Sequence, residues 1–311
     1  MIDNNPLSRR RFLAGSAALA ASGLSLPQWA LADEPIRKRL IPGTSEALPV
    51  VGLGAPNFFY TTPEEGNGPA KALIQAMMDK GGCVIDTPPF FRPDPPVVGP
   101  IIRQMGVQND LFLTAKIPVR GKQAGIAHLE KSVSNLDRNP VDVLMVHNML
   151  EMKNHWPTLK DWKASGRARY IGVSLSRARS YDGLEQFMKK EKPDFIMIRY
   201  SIHHPQTAER ILPLAQELGI AVIGIEAFKT NRDGNLFSLV RETALPEWAS
   251  EFDCDSWAQF SLKYILSHPA MTCVVTETNK VKHIVDNMGA AYGRLPDGAM
   301  QTKMKNYLLS I

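Results

Sequence analysis

Eight short apolar runs, separated by longer amphipathic segments, constrain the fold of this chain more than any other feature. The runs are rich in β-branched residues, which favour strands, and they cover residues 50–53, 83–86, 111–116, 141–147, 170–174, 195–200, 221–225 and 272–275. The segments between them, such as 69–80, 124–136, 208–218 and 256–266, have helix formers with apolar residues three and four positions apart. Eight strands alternating with helices predict an α/β fold, a closed parallel (β/α)8 TIM barrel.

Two further segments refine this prediction. Residues 36–40 and 47–51 flank the turn dipeptide Pro42-Gly43 and predict an N-terminal β-hairpin that closes the bottom of the barrel. The connection 228–253 is the longest one expected to be irregular, and loops of that length are often functional. Neither an internal repeat nor a linker is evident, so we expect one domain over residues 33–311.

The first 32 residues are typical of a twin-arginine signal peptide. Arg9, Arg10 and Arg11 precede Phe12, residues 14–29 are uncharged, and Ala30-Leu31-Ala32 resembles a cleavage site. This pattern predicts export by the twin-arginine machinery, cleavage after Ala32 and a periplasmic or otherwise extracytoplasmic location. The alternative is a helical anchor, but the apolar middle is short for a membrane span. We expect no stable span after cleavage.

Charge and cysteine content exclude other classes. Removal of residues 1–32, with three arginines and one aspartate, lowers the formal net charge from +5 to +3, and the remaining charges are mixed in sign. No basic stripe of the kind that binds nucleic acid is present. The three cysteines and seven histidines show no metal-ligand spacing. We therefore predict no nucleic-acid partner, no metal site and no structural disulfide.

Three neighbouring strands are predicted to end in ionisable groups. Asp86, Lys116 and His147 stand at the ends of the second, third and fourth runs. Active sites of such barrels lie at the C-terminal ends of the strands. The three side chains are therefore expected to meet at one mouth, where they would support proton-transfer chemistry.

The segments around these residues resemble the aldo/keto reductase family. The resemblance rests on Gly82 to Thr87, the strand of Lys116, Asp142 to His147, Gly166 to Ser174, and Ser261 to Val275 followed by Asn287, and it extends over residues 36–295. It implies NAD(P)-dependent reduction of an aldehyde or ketone by an Asp, Tyr, Lys and His tetrad, with Asp86, Lys116 and His147 as three of the four. The tyrosine position is occupied by Phe91, which has no proton to donate.

The nucleotide-binding positions implied by the resemblance are partly altered. Ser174 is kept and Asn287 matches an asparagine on the adenine side, whereas Leu175 and Met197 replace two carboxamides, Ile225 replaces a stacking aromatic, and Glu277 and His283 replace basic residues. Glu226 follows Ile225 and is unusual there. A carboxylate near a 2′-phosphate is repulsive, so Glu277 favours NAD over NADP.

Several interpretations remain open at this stage. Tyr60 in the first loop is a candidate pocket residue, with Phe91, and either Tyr60 or His147 is a candidate proton donor. His203-His204 follow the sixth run, and residues 88–96 are rich in proline. The chain is either an exported oxidoreductase with a small carbonyl substrate, a binding module or pseudoenzyme on the same barrel, or a proton-transfer enzyme without hydride chemistry. The variable loops 55–67, 148–155 and 228–253 do not reveal the substrate.

Overall fold

A computed structural model describes residues 35–54, 63–88, 98–176, 181–230 and 234–311. Within these residues the chain forms the strands β1 Lys38–Leu40, β2 Ala47–Pro49, β3 Val51–Leu53, β4 Val84–Asp86, β5 Phe112–Ile117, β6 Val141–Val146, β7 Ala168–Leu175, β8 Phe195–Arg199, β9 Ala221–Ile225 and β10 Met271–Thr276.

Strands β3 to β10 close into a parallel barrel, and β1 and β2 form an antiparallel hairpin. Closure is made by β10, whose Val274 pairs with Val51 and whose Met271 pairs with Val222. Parallel strands buried on both faces require continuous apolar runs, which is the pattern in the sequence. The predicted (β/α)8 barrel with an N-terminal hairpin is confirmed.

Helices cover the outside of the barrel. They are α1 Pro63–Asp79, α2 Val98–Met105, α3 Lys122–Leu136, α4 Met152–Ala164, α5 Asp182–Glu191, α6 Leu212–Leu218, α7 Leu236–Leu239, α8 Trp257–Leu266, α9 Val281–Gly289 and α10 Gly298–Ser310. The segment Thr207–Ile211 ahead of α6 is a π-helical turn. Buried faces of α1, α2 and α8 join the strands in the larger apolar core.

The prediction that residues 228–253 are irregular was wrong in part. Asn235 caps α7 by accepting a hydrogen bond from the Phe237 backbone N–H, at 2.8 Å. Residues Glu247–Phe252 form a 3₁₀ helix after Pro246. The short capped pieces escape a search for long amphipathic periods, because each has too few residues to show one.

The hairpin fills the bottom of the barrel. Ile41 and Leu48 pack with the inward-facing Val84, Phe112 and Phe195 in a second apolar cluster. Polar contacts fix the same end, because the Glu46 carboxylate accepts hydrogen bonds from Arg169 and Tyr170. The hairpin thus closes the bottom of the barrel, and ligands in this fold bind at the opposite end.

The described residues contain neither a candidate membrane span nor a candidate metal cluster. Among the described residues, no helix is long and apolar enough to cross a membrane. The same part of the chain contains no group of three His, Cys, Asp or Glu side chains arranged to hold a metal ion. Cys83, Cys254 and Cys273 are free thiols, and the latter two are buried.

Candidate active site

The center of the site is a buried ion pair between Asp86 and Lys116. Asp86 ends β4 and Lys116 lies in the adjacent β5, where Asp86 pairs in register with Thr114. The Lys116 ammonium donates to the Asp86 carboxylate and, at 3.0 Å, to the Thr87 carbonyl oxygen. The Thr114 hydroxyl also donates to Asp86. Asp86 and Lys116 are only 5% and 4% exposed, so both charges are held at fixed positions away from bulk water.

His147 stands immediately after β6 in a second hydrogen-bonded group. Its Nδ1 lies 3.1 Å from the Ser174 hydroxyl oxygen, and its Nε2 lies 2.9 Å from the Asn148 side-chain nitrogen. The Asn148 side-chain oxygen accepts hydrogen bonds from the backbone N–H and the hydroxyl of Ser176, at 3.0 and 3.1 Å. Ser174 and Ser176 belong to the end of β7, so this group joins two neighbouring strand ends.

The electrostatic surroundings keep His147 neutral. Burial and, to a smaller extent, the nearby Lys116 ammonium lower the pKa of His147 to about 4, against an opposing effect of Asp86. His147 and the two members of the ion pair stand at or near the ends of the neighbouring strands β4, β5 and β6. At neutral pH the imidazole is uncharged, and the positive charge of the site resides on Lys116.

A cavity of about 480 Å³ opens next to Asp86. Its lining comes from the C-terminal ends of β3, β9 and β10 and the segments that follow them, and includes Gly54, Asp86, Ile225, Glu226, Ala227, Phe228, Lys229, Asn235, Val275, Thr276, Glu277, Thr278 and Asn279. It therefore lies at the barrel end where ligands bind in this fold. The surface is mixed, with aliphatic and aromatic carbon beside both signs of charge.

Two glutamates give this cavity an acidic side. Glu226 has a positive φ of 57°, and its carboxylate forms an ion pair with Arg199 from the end of β8. Glu277 lies at the exposed rim after β10. Partial burial and the nearby Asp86 raise the pKa of Glu277, while Lys229 acts in the opposite direction. A dianionic group would therefore be less favoured here than a neutral one.

The other predicted binding residues divide between the mouth and the interior. Ser174 and Ile225 lie near the C-terminal ends of β7 and β9. Met197 points into the barrel, where it is 1% exposed and packs in the inner apolar cluster. Asn287 is also buried and donates to the Thr276 hydroxyl at 2.9 Å, so its amide supports the segment after β10. His283 is exposed and lies 3.3 Å from the Thr278 hydroxyl, near the cavity rim.

The remaining candidates are the two predicted pocket residues and the two histidines that follow β8. Tyr60 and Phe91, the two candidate pocket residues, lie outside the described residues. His204 Nε2 accepts a hydrogen bond from the Arg199 guanidinium at 3.2 Å, and its Nδ1 lies 3.0 Å from the Ser201 hydroxyl oxygen. His204 thus belongs to the structure around the Glu226 ion pair. His203 is half-buried, and burial lowers its pKa.

Sequence reasoning missed several polar partners. Thr114 and Thr87 complete the Asp86–Lys116 group, and Arg199 pairs with Glu226 across β8 and β9. Strand alternation gives a usable signal for Thr114, since it shares a face with Lys116 two residues later. Asn148 has no such signal, because its contacts depend on a left-handed backbone conformation with φ 50° after the strand.

Comparison with known proteins places this geometry in a family. The profile of the aldo/keto reductase family matches residues 51–303, more than half of the chain. An uncharacterized oxidoreductase of Bacillus subtilis (strain 168), YqkF, is 26% identical over 188 residues, which cover 53% of this chain and 60% of that protein. An uncharacterized oxidoreductase of Schizosaccharomyces pombe is 22% identical over 187 residues, 52% of this chain and 55% of its own length. The chain thus spans little more than half the length of either curated relative.

Solved structures agree in fold. An aldo/keto reductase of Klebsiella pneumoniae, crystallised with NADP and acetate, superposes with a TM-score of 0.72 at 20% identity, covering 88% of this chain and 96% of its own. The holo form of an aldo-keto reductase from Bacillus halodurans gives a TM-score of 0.68 at 18% identity, with the same coverage. Together with the profile match over the barrel, these findings show that the chain belongs to the aldo/keto reductase family.

Proposed function

We propose that this protein is an oxidoreductase that transfers hydride between a nicotinamide nucleotide and a small carbonyl compound or its alcohol. The observation that carries the proposal is the buried Asp86–Lys116 pair beside His147, at the mouth and next to the cavity. Family membership and the oxidoreductase descriptions of the two curated relatives support it.

The ion pair itself argues for chemistry at this mouth. Desolvating two charges costs several kcal/mol per ion, and a buried pair is commonly no better for stability than apolar residues of similar volume. Its use is therefore to hold a cation at a fixed point. A cation beside a developing alkoxide stabilises the transition state of carbonyl reduction. In the proposed reaction Lys116 supplies that charge, and Asp86 with the Thr87 carbonyl holds the ammonium in place.

The described residues can hold a nicotinamide nucleotide along the cavity. Ile225 and Phe228 offer apolar surface for a ring, and Lys229 adds a cation to the same lining. The Ser174 hydroxyl lies near the end of β7, beside His147. The bound nucleotide would supply the hydride. The chain's own part is to orient the ligand and keep a positive charge beside the reacting oxygen.

The charges at the rim favour NAD as the coenzyme. A carboxylate at Glu277 repels the 2′-phosphate of NADP by about 1 kcal/mol at close range near a surface. It can instead accept hydrogen bonds from ribose hydroxyls, as acidic residues do in other NAD sites. Lys280 and Lys282 lie nearby on the exposed surface and oppose this effect. The Klebsiella relative, by contrast, was crystallised with NADP.

A second candidate function is a binding module that has lost reductase turnover. Met197 is packed inside the barrel, and the half-buried Leu175 presents no amide, so two polar contacts to a nicotinamide carboxamide are missing. Phe91 at the tyrosine position removes the family's proton donor. The two candidates differ in whether a reduced nucleotide binds and is consumed.

We further propose that the protein acts outside the cytoplasm. The support is the sequence of residues 1–32 alone, with consecutive arginines, an uncharged middle and a small-residue cleavage site. Export in the folded state suits a barrel that binds its nucleotide before it leaves the cytoplasm. The twin-arginine export machinery would then be a protein partner of the full chain.

The test is a titration of the mature protein, residues 33–311, with NADH and NADPH separately, following tryptophan and nucleotide fluorescence. Micromolar, saturable binding is expected, with NADH tighter. Glu277→Gln should strengthen NADPH binding about fivefold, the equivalent of 1 kcal/mol, and change NADH binding little. Glu217→Gln, an exposed substitution on α6, is the matched control. If neither NADH nor NADPH binds at millimolar concentration, the oxidoreductase function is excluded and the binding module remains.

A turnover assay separates the two functions if a nucleotide does bind. Consumption of NADH with small aldehydes and ketones is expected for the wild type and is lost in Lys116→Met. Phe91→Tyr restores a phenol at the family's position and should raise the rate. Binding without turnover in the wild type, rescued by Phe91→Tyr, would identify a pseudoenzyme.

A further inference from the structure

The hydrogen bonds around Asn148 determine which nitrogen of His147 carries the proton. The Ser176 backbone N–H is 3.0 Å from one end of the Asn148 amide and can only donate, so that end is the oxygen. The other end, 2.9 Å from His147 Nε2, is therefore the NH₂ group. A nitrogen facing an N–H donor must be an acceptor, so Nε2 has a lone pair and no hydrogen.

The opposite side of the ring agrees with this assignment. With Nε2 unprotonated, the hydrogen of a neutral imidazole lies on Nδ1, 3.1 Å from the Ser174 hydroxyl oxygen, which can accept it. Ser174 also lies 3.4 Å from the Asn148 backbone nitrogen. Both ring nitrogens are thus engaged in one chain of contacts from β6 to β7. Lys116 on β5 and Asp86 on β4 are the charged groups that influence the ring, and the Lys116 ammonium opposes a second proton on it.

We infer that Asn148 is a positioning residue that holds His147 as the neutral Nδ1–H tautomer, so that His147 cannot be the proton donor in the proposed reduction. This inference rests on the proposed function for its chemical meaning, and on the hydrogen bonds alone for the tautomer. It replaces the expectation that His147 supplies the proton. An oxygen of a ligand near this ring would meet the Asn148 amide hydrogens rather than an imidazole N–H. The Lys116 ammonium of the ion pair is a described hydrogen-bond donor at this site.

The backbone supports a dedicated role for asparagine at this position. Asn148 has φ 50° and ψ 31°, a left-handed conformation that asparagine tolerates better than most residues. Aspartate tolerates it as well and keeps an oxygen for Ser176. Asn148→Asp would therefore keep the fold while it places a carboxylate oxygen, in place of an N–H donor, beside Nε2.

The experiment reads the tautomer directly, without any activity. The mature protein is labelled with ¹⁵N-histidine, long-range proton–nitrogen spectra are recorded, and the His147 signals are identified by their loss in His147→Gln. The wild type should show hydrogen on Nδ1 and none on Nε2, at pH values down to about 5. In Asn148→Asp the hydrogen should move to Nε2, and the pKa of His147 should rise by roughly 1–3 units. Asn154→Ala, in the first turn of the following helix α4, should change neither.

The outcomes separate this inference from the proposed function. Wild-type protein with hydrogen on Nε2 overturns it, and so does a folded Asn148→Asp variant that keeps the Nδ1–H form. Asn148→Gly, which accepts the backbone conformation and removes the amide, should show a mixture of tautomers, and an unchanged Nδ1–H form in this variant also contradicts the inference. NADH titration of the same samples tests the function independently, since absent binding leaves the tautomer result unaffected.

Discussion

At the scale of single residues, Asp86 and Lys116 depend on each other. Lys116→Met removes the cation and leaves a buried carboxylate with only the Thr114 hydroxyl as a described side-chain partner. Loss of one member of a buried pair costs about 3–5 kcal/mol, because the remaining charge is uncompensated. We expect a decrease of that size in the free energy of unfolding, measured by urea denaturation at pH 7.

The double variant is the control for this prediction. Asp86→Asn combined with Lys116→Met removes both charges and should recover at least half of the lost stability, since no buried charge remains. A double variant as unstable as Lys116→Met alone would mean that packing, and not charge, explains the loss.

Replacement of Glu277 by glutamine should increase the stability of the folded protein in a pH-dependent way. Its pKa in the folded protein is raised by partial burial and by Asp86, so ionisation of this carboxyl destabilises the folded state. Glu277→Gln should therefore unfold at a higher urea concentration than the wild type at pH 7. The gain should disappear below about pH 4, the ordinary pKa of glutamate, because both proteins are then uncharged at this position. Equal midpoints at every pH would contradict the raised pKa.

The candidate site was predictable from sequence only where strand ends disclose it. Asp86, Lys116 and His147 were found because each ends an apolar run, and parallel strands bring such ends together. Asn148 and Arg199 were not predicted. The contacts of Asn148 depend on its left-handed backbone conformation, and Arg199 pairs with Glu226, whose backbone φ is also positive. Residue type alone does not encode these conformations.

At the scale of elements, the contact between α2 and α3 depends on a glycine. A Cβ built on Gly99 would lie 1.6 Å from the Asn135 carbonyl oxygen and 2.9 Å from the Leu136 Cα, so the helices must separate to admit it. Gly99→Ala should lower the free energy of unfolding by about 1–3 kcal/mol, the usual cost of overpacking. Thermal or urea unfolding followed by circular dichroism measures the change.

A second helical glycine provides the comparison. Gly183 in α5 has no atom within 4 Å of its built Cβ. Gly183→Ala should therefore leave packing unchanged and gain about 0.5–1 kcal/mol from helix propensity. Equal effects of the two substitutions would show that propensity, and not the close approach of α2 and α3, governs both.

Elements were predicted well where one residue period persists and poorly elsewhere. The eight barrel strands match their apolar runs because both faces of each strand are buried, which leaves a continuous signal. The π-helical turn Thr207–Ile211 and the 3₁₀ helix Glu247–Phe252 were not foreseen. Both result from local hydrogen bonding over a single turn or two, which hydrophobic periodicity does not resolve.

At the scale of the whole molecule, the fold followed from the sequence because every strand supports the same architecture. Eight strands of one type leave few alternatives to a closed barrel, and the hairpin adds a plug at one end. The ligand did not follow, because the mouth is formed by loops, and because positions such as Met197 and Glu277 depart from the residues that the family resemblance implies. Function in this chain is thus determined by a few positions on a common scaffold.

We expect export of the full chain to depend on its paired arginines. Arg9→Lys combined with Arg10→Lys keeps the charge of the N-terminal segment, so a purely electrostatic role would be unaffected, whereas recognition of paired arginines would be lost. We expect the wild type to appear outside the cytoplasm with a new N-terminus at Asp33, and the double variant to remain inside and uncleaved, as shown by fractionation and mass spectrometry. Arg11→Lys is the matched control and should be exported. An exported double variant, or a wild-type protein that keeps residues 1–32 on the membrane, would instead support the helical anchor.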